Sequence, residues 1–309
     1  MGLPTETWQR MLLVIWAVLL LAAVPLAILS PLRLRQGKPV KAMWIKYGAW
    51  FLMAPIVTVP MMLGRVWVQA GFLLASLYAF EEFSRLVGLR EQRAHMWLAR
   101  LCIVAVYVPT FMSNYGVFLA LPAYVVLPAF LLPILRDRYE GMVRASCLVM
   151  LGVIYCGWFL AHLAYLMNAA AGRQFVLAFL LVVVVNDASA YLVGSTVGRR
   201  RLVPKLSPNK TVEGALGAAA ITVGTAVAVG FALGGLTLAH RAILGLLLAA
   251  AGTCGDLAVS LIKRDVGAKD CGTCIPGHGG LLDRLDSVLL AAPLYFHFMR
   301  VFQGAGGLT

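Results

Sequence analysis

The chain has 309 residues, 61% of them hydrophobic and only 13% charged, with 26 Lys and Arg against 13 Asp and Glu. A soluble domain of this length needs far more charge to cover its surface. The net charge of +13 sits at the ends of apolar runs and forms no separate basic domain, which excludes a nucleic-acid-binding reading.

The apolar runs predict the elements in order. The first, Met11 to Ser30, is longer than the hydrophobic part of a signal peptide and lacks both a basic start and a small-residue cleavage site. Pro25 inside it is tolerable in a bilayer helix, so a retained first span is expected. Further spans are placed near residues 47–63, 66–80, 97–112, 116–135, 145–167, 175–195, 214–235, 242–262 and 286–303, most of them near the ~20 residues that cross a bilayer core. The second to fourth are short or crowded. The predicted fold is therefore all-α, a polytopic integral membrane protein with about 8–10 transmembrane helices in a single membrane domain over residues 1–309. Cys102, Cys147, Cys156 and Cys254 fall in the apolar runs and are expected to be small buried hydrophobes.

Charge orients the spans. Segments 31–46, 81–100, 136–144, 198–213 and 263–285 hold 21 of the 26 basic residues, and the rest are Arg10, Arg65, Arg173, Arg241 and Arg300. With ten spans the rich segments share one side, which the positive-inside rule makes cytoplasmic, with both termini outside. The same charge attracts anionic lipid headgroups.

Seven of the 13 acidic residues lie between Asp187 and Asp286. Asp187 and Asp256 interrupt apolar runs, and a carboxylate at membrane depth needs a partner, a cation or a wet cavity. Gly194 and Gly198, four apart at a span end, suit close helix packing. In the following segment Pro208 and Asn209 signal a turn, and Thr211 can cap the next helix with Glu213 close behind. Lys210 stands at that helix's start, where helix electrostatics disfavours a cation, so a phosphate target explains it better. The last loop carries Gly277, Gly279 and Gly280, which permit close backbone approach to a bound group, with His278 among them. Asp283 and Asp286, three apart, share a face on a helix. Two carboxylates beside a glycine loop and several cations suit a Mg²⁺–triphosphate complex. Cys271 and Cys274 form a lone C-x-x-C without the second pair that a four-cysteine zinc site needs.

These residues resemble the phosphatidate cytidylyltransferases. The family's S-x-x-K-R-x-x-x-x-K-D is met by Ser260, Lys263, Arg264, Lys269 and Asp270. Its P-G-H-G-G-x-x-D-R-x-D is met by Pro276 to Gly280, Asp283, Arg284 and Asp286. Ser207, Pro208, Lys210, Thr211, Glu213 and Gly214 match S-P-x-K-T-x-E-G, and Asp187 fills the acidic position in the preceding span. The resemblance covers about residues 186–287, so residues 1–170 supply helices of weak resemblance and residues 171–309 the catalytic helices and loops.

What the resemblance implies is transfer of CMP from CTP to phosphatidic acid, giving CDP-diacylglycerol and pyrophosphate, at the cytoplasmic side of a bacterial-type inner membrane. It implies Mg²⁺ or Mn²⁺ on Asp256, Asp283 and Asp286, with a second, monovalent cation and a homodimer as added expectations. Asp187, Lys263, Arg264 and Asp270 would join the metal ligands in catalysis. Ser207, Lys210, Thr211, Glu213, Lys269, Gly277, His278, Gly279, Gly280 and Arg284 would bind substrate. Val259 stands where the family usually has Glu, and the spacer cysteines are unusual. One alternative is therefore a paralogue acting on a different lipid phosphate. Another is a proton-coupled transporter, which has no need of the glycine-rich acidic loop.

Overall fold

The computed structural model describes residues 4–21, 23–24, 26–27, 30–31, 40–272 and 279–303. Among them, ten long helical segments stand where the apolar runs place spans. They are α1 (Pro4–Leu21), α2 (Lys41–Leu63), α3 (Arg65–Leu86), α4 (Arg93–Phe111), α5 (Tyr115–Leu135), α6 (Met142–Leu166), α7 (Gly172–Val197), α8 (Val212–Ala228), α9 (Leu238–Asp265) and α10 (Leu282–Gln303). A two-stranded antiparallel ribbon, β1 (Arg201–Val203) and β2 (Ser207–Thr211), is the only sheet among the described residues. Seven of the described helices, α4 to α10, are long and apolar enough to cross a membrane. The all-α polytopic expectation holds. The more polar α3 carries Gln69, Glu81 and Glu82, and the amide nitrogen of the buried Gln69 donates to the Thr110 and Ala164 carbonyls.

Lipid is as apolar as a side chain, so helices in a bilayer associate through close packing and hydrogen bonds, and small residues collect where they cross. The sequence of α7 to α10 follows this rule. A Cβ on Gly214 would come within 3.0 Å of Gly194 Cα, so α7 and α8 meet through the expected small-residue face. Gly245 lets α9 lie on α8, since a Cβ there would sit 2.7 Å from Val223 Cα. Gly255 lets α10 lie on α9, since a Cβ there would run into the Asp286 carbonyl oxygen. These four helices pack along one another in order, and α6 and α3 cover α10 from the N-terminal half.

The outward faces carry Trp67, Trp97, Leu127, Leu246 and Val301, all exposed, as a lipid-facing surface requires. Of the cysteines expected to be buried, Cys156 is buried and Cys102 half-buried, whereas Cys147 and Cys254 are exposed. An apolar run marks membrane depth, but a lipid-facing position satisfies it as well as a core one. Within α6, residues Val153–Trp158 form a π-helical stretch, a local widening often found beside functional sites. From it, Tyr155 donates to the Gly255 carbonyl at 3.3 Å, on the stretch of α9 that meets Asp286.

Candidate active site

The ribbon delivers the first cation. β1 and β2 pair Arg201 with Thr211 and Val203 with Ser207. Pro208 and Asn209 therefore lie inside a strand, and the chain reverses just before it, where Leu206 N donates to the Val203 carbonyl. The correction has a simple cause: a two-stranded ribbon has an outer edge on each strand, where a proline without N–H costs no ladder bond. Thr211 caps α8 as expected, its hydroxyl oxygen accepting from Gly214 N at 3.1 Å. Glu213 meets the backbone just before β1. Its carboxylate accepts from the amides of Arg199 and Arg200 at 2.9 and 3.1 Å and fastens the start of the ribbon. Lys210 then reaches Asp256, with Nζ 2.6 Å from Oδ2.

The C-terminal half of α9 presents Asp256, Ser260, Lys263 and Arg264 along one side of the helix. Ser260 donates to Asp256 Oδ1 at 3.4 Å. Lys263 donates to Asp283 Oδ1 at 2.7 Å in a buried pair. Arg264 donates to the Leu206 and Ala268 carbonyls, so it holds the ribbon turn against the end of α9. Gly267, at φ +72°, turns the chain out of the helix in a conformation side chains disfavour.

Asp283 and Asp286 part company on α10. Asp283 stands in the helix's first turn, among free backbone donors. Its Oδ2 accepts from Cys271 N at 2.8 Å and Gly280 N at 3.0 Å, and its Oδ1 is taken by Lys263. Three protein donors thus converge on Asp283, two on Oδ2 and one on Oδ1, and they tie it to the loop amides and Lys263. Asp286, one turn on, accepts from Ser287 N at 2.7 Å. The Ser287 hydroxyl donates to Asp187 Oδ1 at 3.0 Å and lies 3.4 Å from Asp286 Oδ1, so it bridges α7 and α10. Asp187, Asp256 and Asp286 lie within electrostatic reach of one another, with Lys210 beside Asp256 as a counter-charge. Among the described residues, no three His, Cys, Asp or Glu side chains are already drawn together as a bound ion would draw them.

The remaining expected residues sit around this centre. Lys269 and Asp270 are exposed on the loop after α9, and Arg284 is exposed on α10. Gly279 adopts φ +77°, and a Cβ there would come 2.8 Å from Asp283 Oδ2. Gly277, His278 and Cys274 lie outside the described residues. Cys271 is buried, and burial together with the neighbouring Asp283 carboxylate pushes its thiol pKa far up.

Three participants were missed from the sequence. Asn186 accepts from the Thr222 hydroxyl at 3.1 Å, beside Gly252 on α9. Ser287 links two carboxylates, and its place directly after Asp286 was the available signal. Glu82 on α3 is buried, and its carboxylate accepts from Leu281 N at 3.1 Å and Leu282 N at 2.7 Å. The available signal was an acidic pair, Glu81 and Glu82, closing an apolar run.

A helical membrane bundle that brings carboxylates of three helices near one another, with a lysine beside them, has the parts of a phosphate-handling transferase at a lipid surface. The chain belongs to the cytidylyltransferase family, which it matches over residues 44–302, and is a nucleotidyltransferase. The match reaches well back from the motif region and includes α3. The chain is 34% identical over 234 residues to the uncharacterized protein YnbB of Escherichia coli K12, covering 74% of this chain and 78% of that one. It is 28% identical over 249 residues to a phosphatidate cytidylyltransferase of Staphylococcus haemolyticus, covering 79% and 94%. It is 40% identical over 156 residues to the phosphatidate cytidylyltransferase of Brucella abortus, covering 49% of this chain and 56% of that relative.

Proposed function

We propose that the protein transfers the cytidylyl group of CTP to phosphatidic acid, releasing pyrophosphate and forming CDP-diacylglycerol, at the cytoplasmic face of a bacterial inner membrane. The observation that carries this reading is the junction of the ribbon with α7, α9 and α10. There Lys210 pairs with Asp256 and the Ser287 hydroxyl links Asp187 to Asp286, while Lys263 pairs with Asp283 and Arg264 holds the ribbon turn against the end of α9.

Hard carboxylate oxygens from three helices, with a single ammonium among them, are the donor chemistry that suits Mg²⁺. Asp256 and Asp286, with Asp187 in the place first given to Asp283, would hold the ion. When bound it would neutralise charge on the triphosphate. The chain's own groups do the rest. Lys210 would leave Asp256 for a phosphate, and Lys263 and Asp283 keep the loop amides in place around the nucleotide. A phosphate oxygen of the lipid forms a bond to the α-phosphorus of CTP while the bond from that phosphorus to the bridging oxygen breaks, and pyrophosphate departs. A phosphate monoester is already largely ionised near neutral pH, so no strong base is required. Positioning and charge stabilisation supply the rate. Phe83, Leu148, Leu151, Leu261 and Ile262, with Asp265 at its edge, line a shallow, mostly apolar recess of about 280 Å³ on the same end of α9. The homodimer and a monovalent second cation belong to the same reading.

The test is purified protein in detergent with labelled CTP, phosphatidic acid and Mg²⁺. Wild type should yield liponucleotide and pyrophosphate in equal amounts, and Asp256→Asn should lose both by ~100-fold or more. Failure with phosphatidic acid but turnover with another lipid phosphate would move the acceptor. No product with any lipid phosphate, beside an active relative, would end the reading.

A further inference from the structure

We propose that Glu82 is a positioning residue of the active site, a carboxylate lent by the N-terminal half to seat the first turn of α10. Three observations carry it. Glu82 is 1% exposed, so its carboxylate is removed from solvent and must be satisfied by the protein. It accepts from two successive amides, Leu281 and Leu282, at the start of α10, where backbone N–H groups have no helical partner and favour an anion. Its oxygens fill a socket walled by glycines, since a Cβ on Gly272 or Gly280 would run into the Glu82 carboxylate.

The next donor, Gly280 N, and that of Cys271 go to Asp283. Two carboxylates from different halves of the chain therefore hold three consecutive amides, 280 to 282, directly before Asp283 and Asp286. Glu82 contacts neither Asp286 nor Lys210 through any of these bonds, so it acts by placing α10. Gly272 and Gly280 bracket the loop on both sides, and their lack of side chains is explained by the carboxylate between them.

The catalytic arm of the test rests on the cytidylyl-transfer reading; the exchange arm does not. Glu82→Gln keeps the shape and loses the charge, and Glu82→Ala opens the glycine-walled socket to a small carboxylate. Amide hydrogen exchange at residues 280–283 should quicken at least tenfold in Glu82→Ala while α7 and α8 keep wild-type protection, and added formate should slow it again. In the same preparations kcat should fall at least tenfold, with KM for phosphatidic acid within about twofold of wild type. Formate, and not chloride, should restore kcat by threefold or more. Glu82→Gln should be folded and intermediate, and Glu81→Gln, which alters the half-buried Arg100 pair and no bond to residues 280–283, should match wild type. Unchanged exchange at 280–283, or a general loss of protection that formate does not reverse, overturns the proposal. If wild type makes no liponucleotide, the functional reading falls and the exchange arm alone decides the role of Glu82.

Discussion

Lys210 and Asp256, 2.6 Å apart, tie the ribbon to the middle of α9 and place the ammonium where a bound cation would have to compete with it. Neither side chain is fully buried, so the pair itself adds little to stability, ~1 kcal/mol or less. Its importance is in exchange of partners. Lys210→Ala should raise KM for CTP by about tenfold or more, yet lower the Mg²⁺ concentration needed for half-maximal rate, because Asp256 no longer has a resident counter-ion. Titrating Mg²⁺ at saturating CTP measures this, and an increased Mg²⁺ requirement would contradict it.

Asp283 and Lys263 form the buried pair. Removing one member leaves the other uncompensated, which typically costs ~3–5 kcal/mol. Asp283→Asn should therefore lower thermal stability in detergent markedly. Asp283→Asn with Lys263→Met should recover much of the stability and none of the activity. Equal instability of the double and single variants would mean that the pair is not the source of the loss.

Gly255 has no room for a side chain against the Asp286 carbonyl. Gly255→Ala should push α10 away from α9, at a cost of ~1–3 kcal/mol. Activity should drop by about 100-fold, since a displacement of that order at reacting groups is enough to do so. Gly224→Ala, where nothing lies within 4 Å of an added Cβ, is the control that should leave activity unchanged.

Cys271 tests the loop by its chemistry. Burial, and then the Asp283 carboxylate, raise its thiol pKa, so the thiolate is scarcer at any given pH than for a free cysteine. In a variant retaining Cys271 alone, maleimide labelling at pH 8 should be slow in folded protein and fast after denaturation. Glu82→Ala should accelerate it, because the socket that Glu82 fills lies against Gly272, next to Cys271.

The helical bundle and much of the site could be read from the amino acids, because apolar runs, charge asymmetry and intramembrane carboxylates are properties of side chains. Asp187, Asp256 and Asp286 were found that way. Asp283 was found too, but not its protein partners: spacing of three puts it on the face of Asp286, while the first turn of a helix also offers loop amides that no side-chain pattern reveals. Pro208 and Asn209 looked like a turn because local propensity cannot register a ribbon edge. Glu82 was overlooked for a related reason. Its partners are peptide N–H groups, which are the same in every sequence, and the residues supplying them lie about 200 positions away.

That separation bears on how the molecule is made. Synthesis runs from α3 to α10, so the Glu82 carboxylate lacks its partner amides until residues 281 and 282 have been made. The centre is completed only by α10, and a chain stopped before it has the bundle's walls without its closing piece. Incomplete copies would thus be silent rather than partly active, and a separately expressed α10 would have to find Glu82 before any nucleotide could be held.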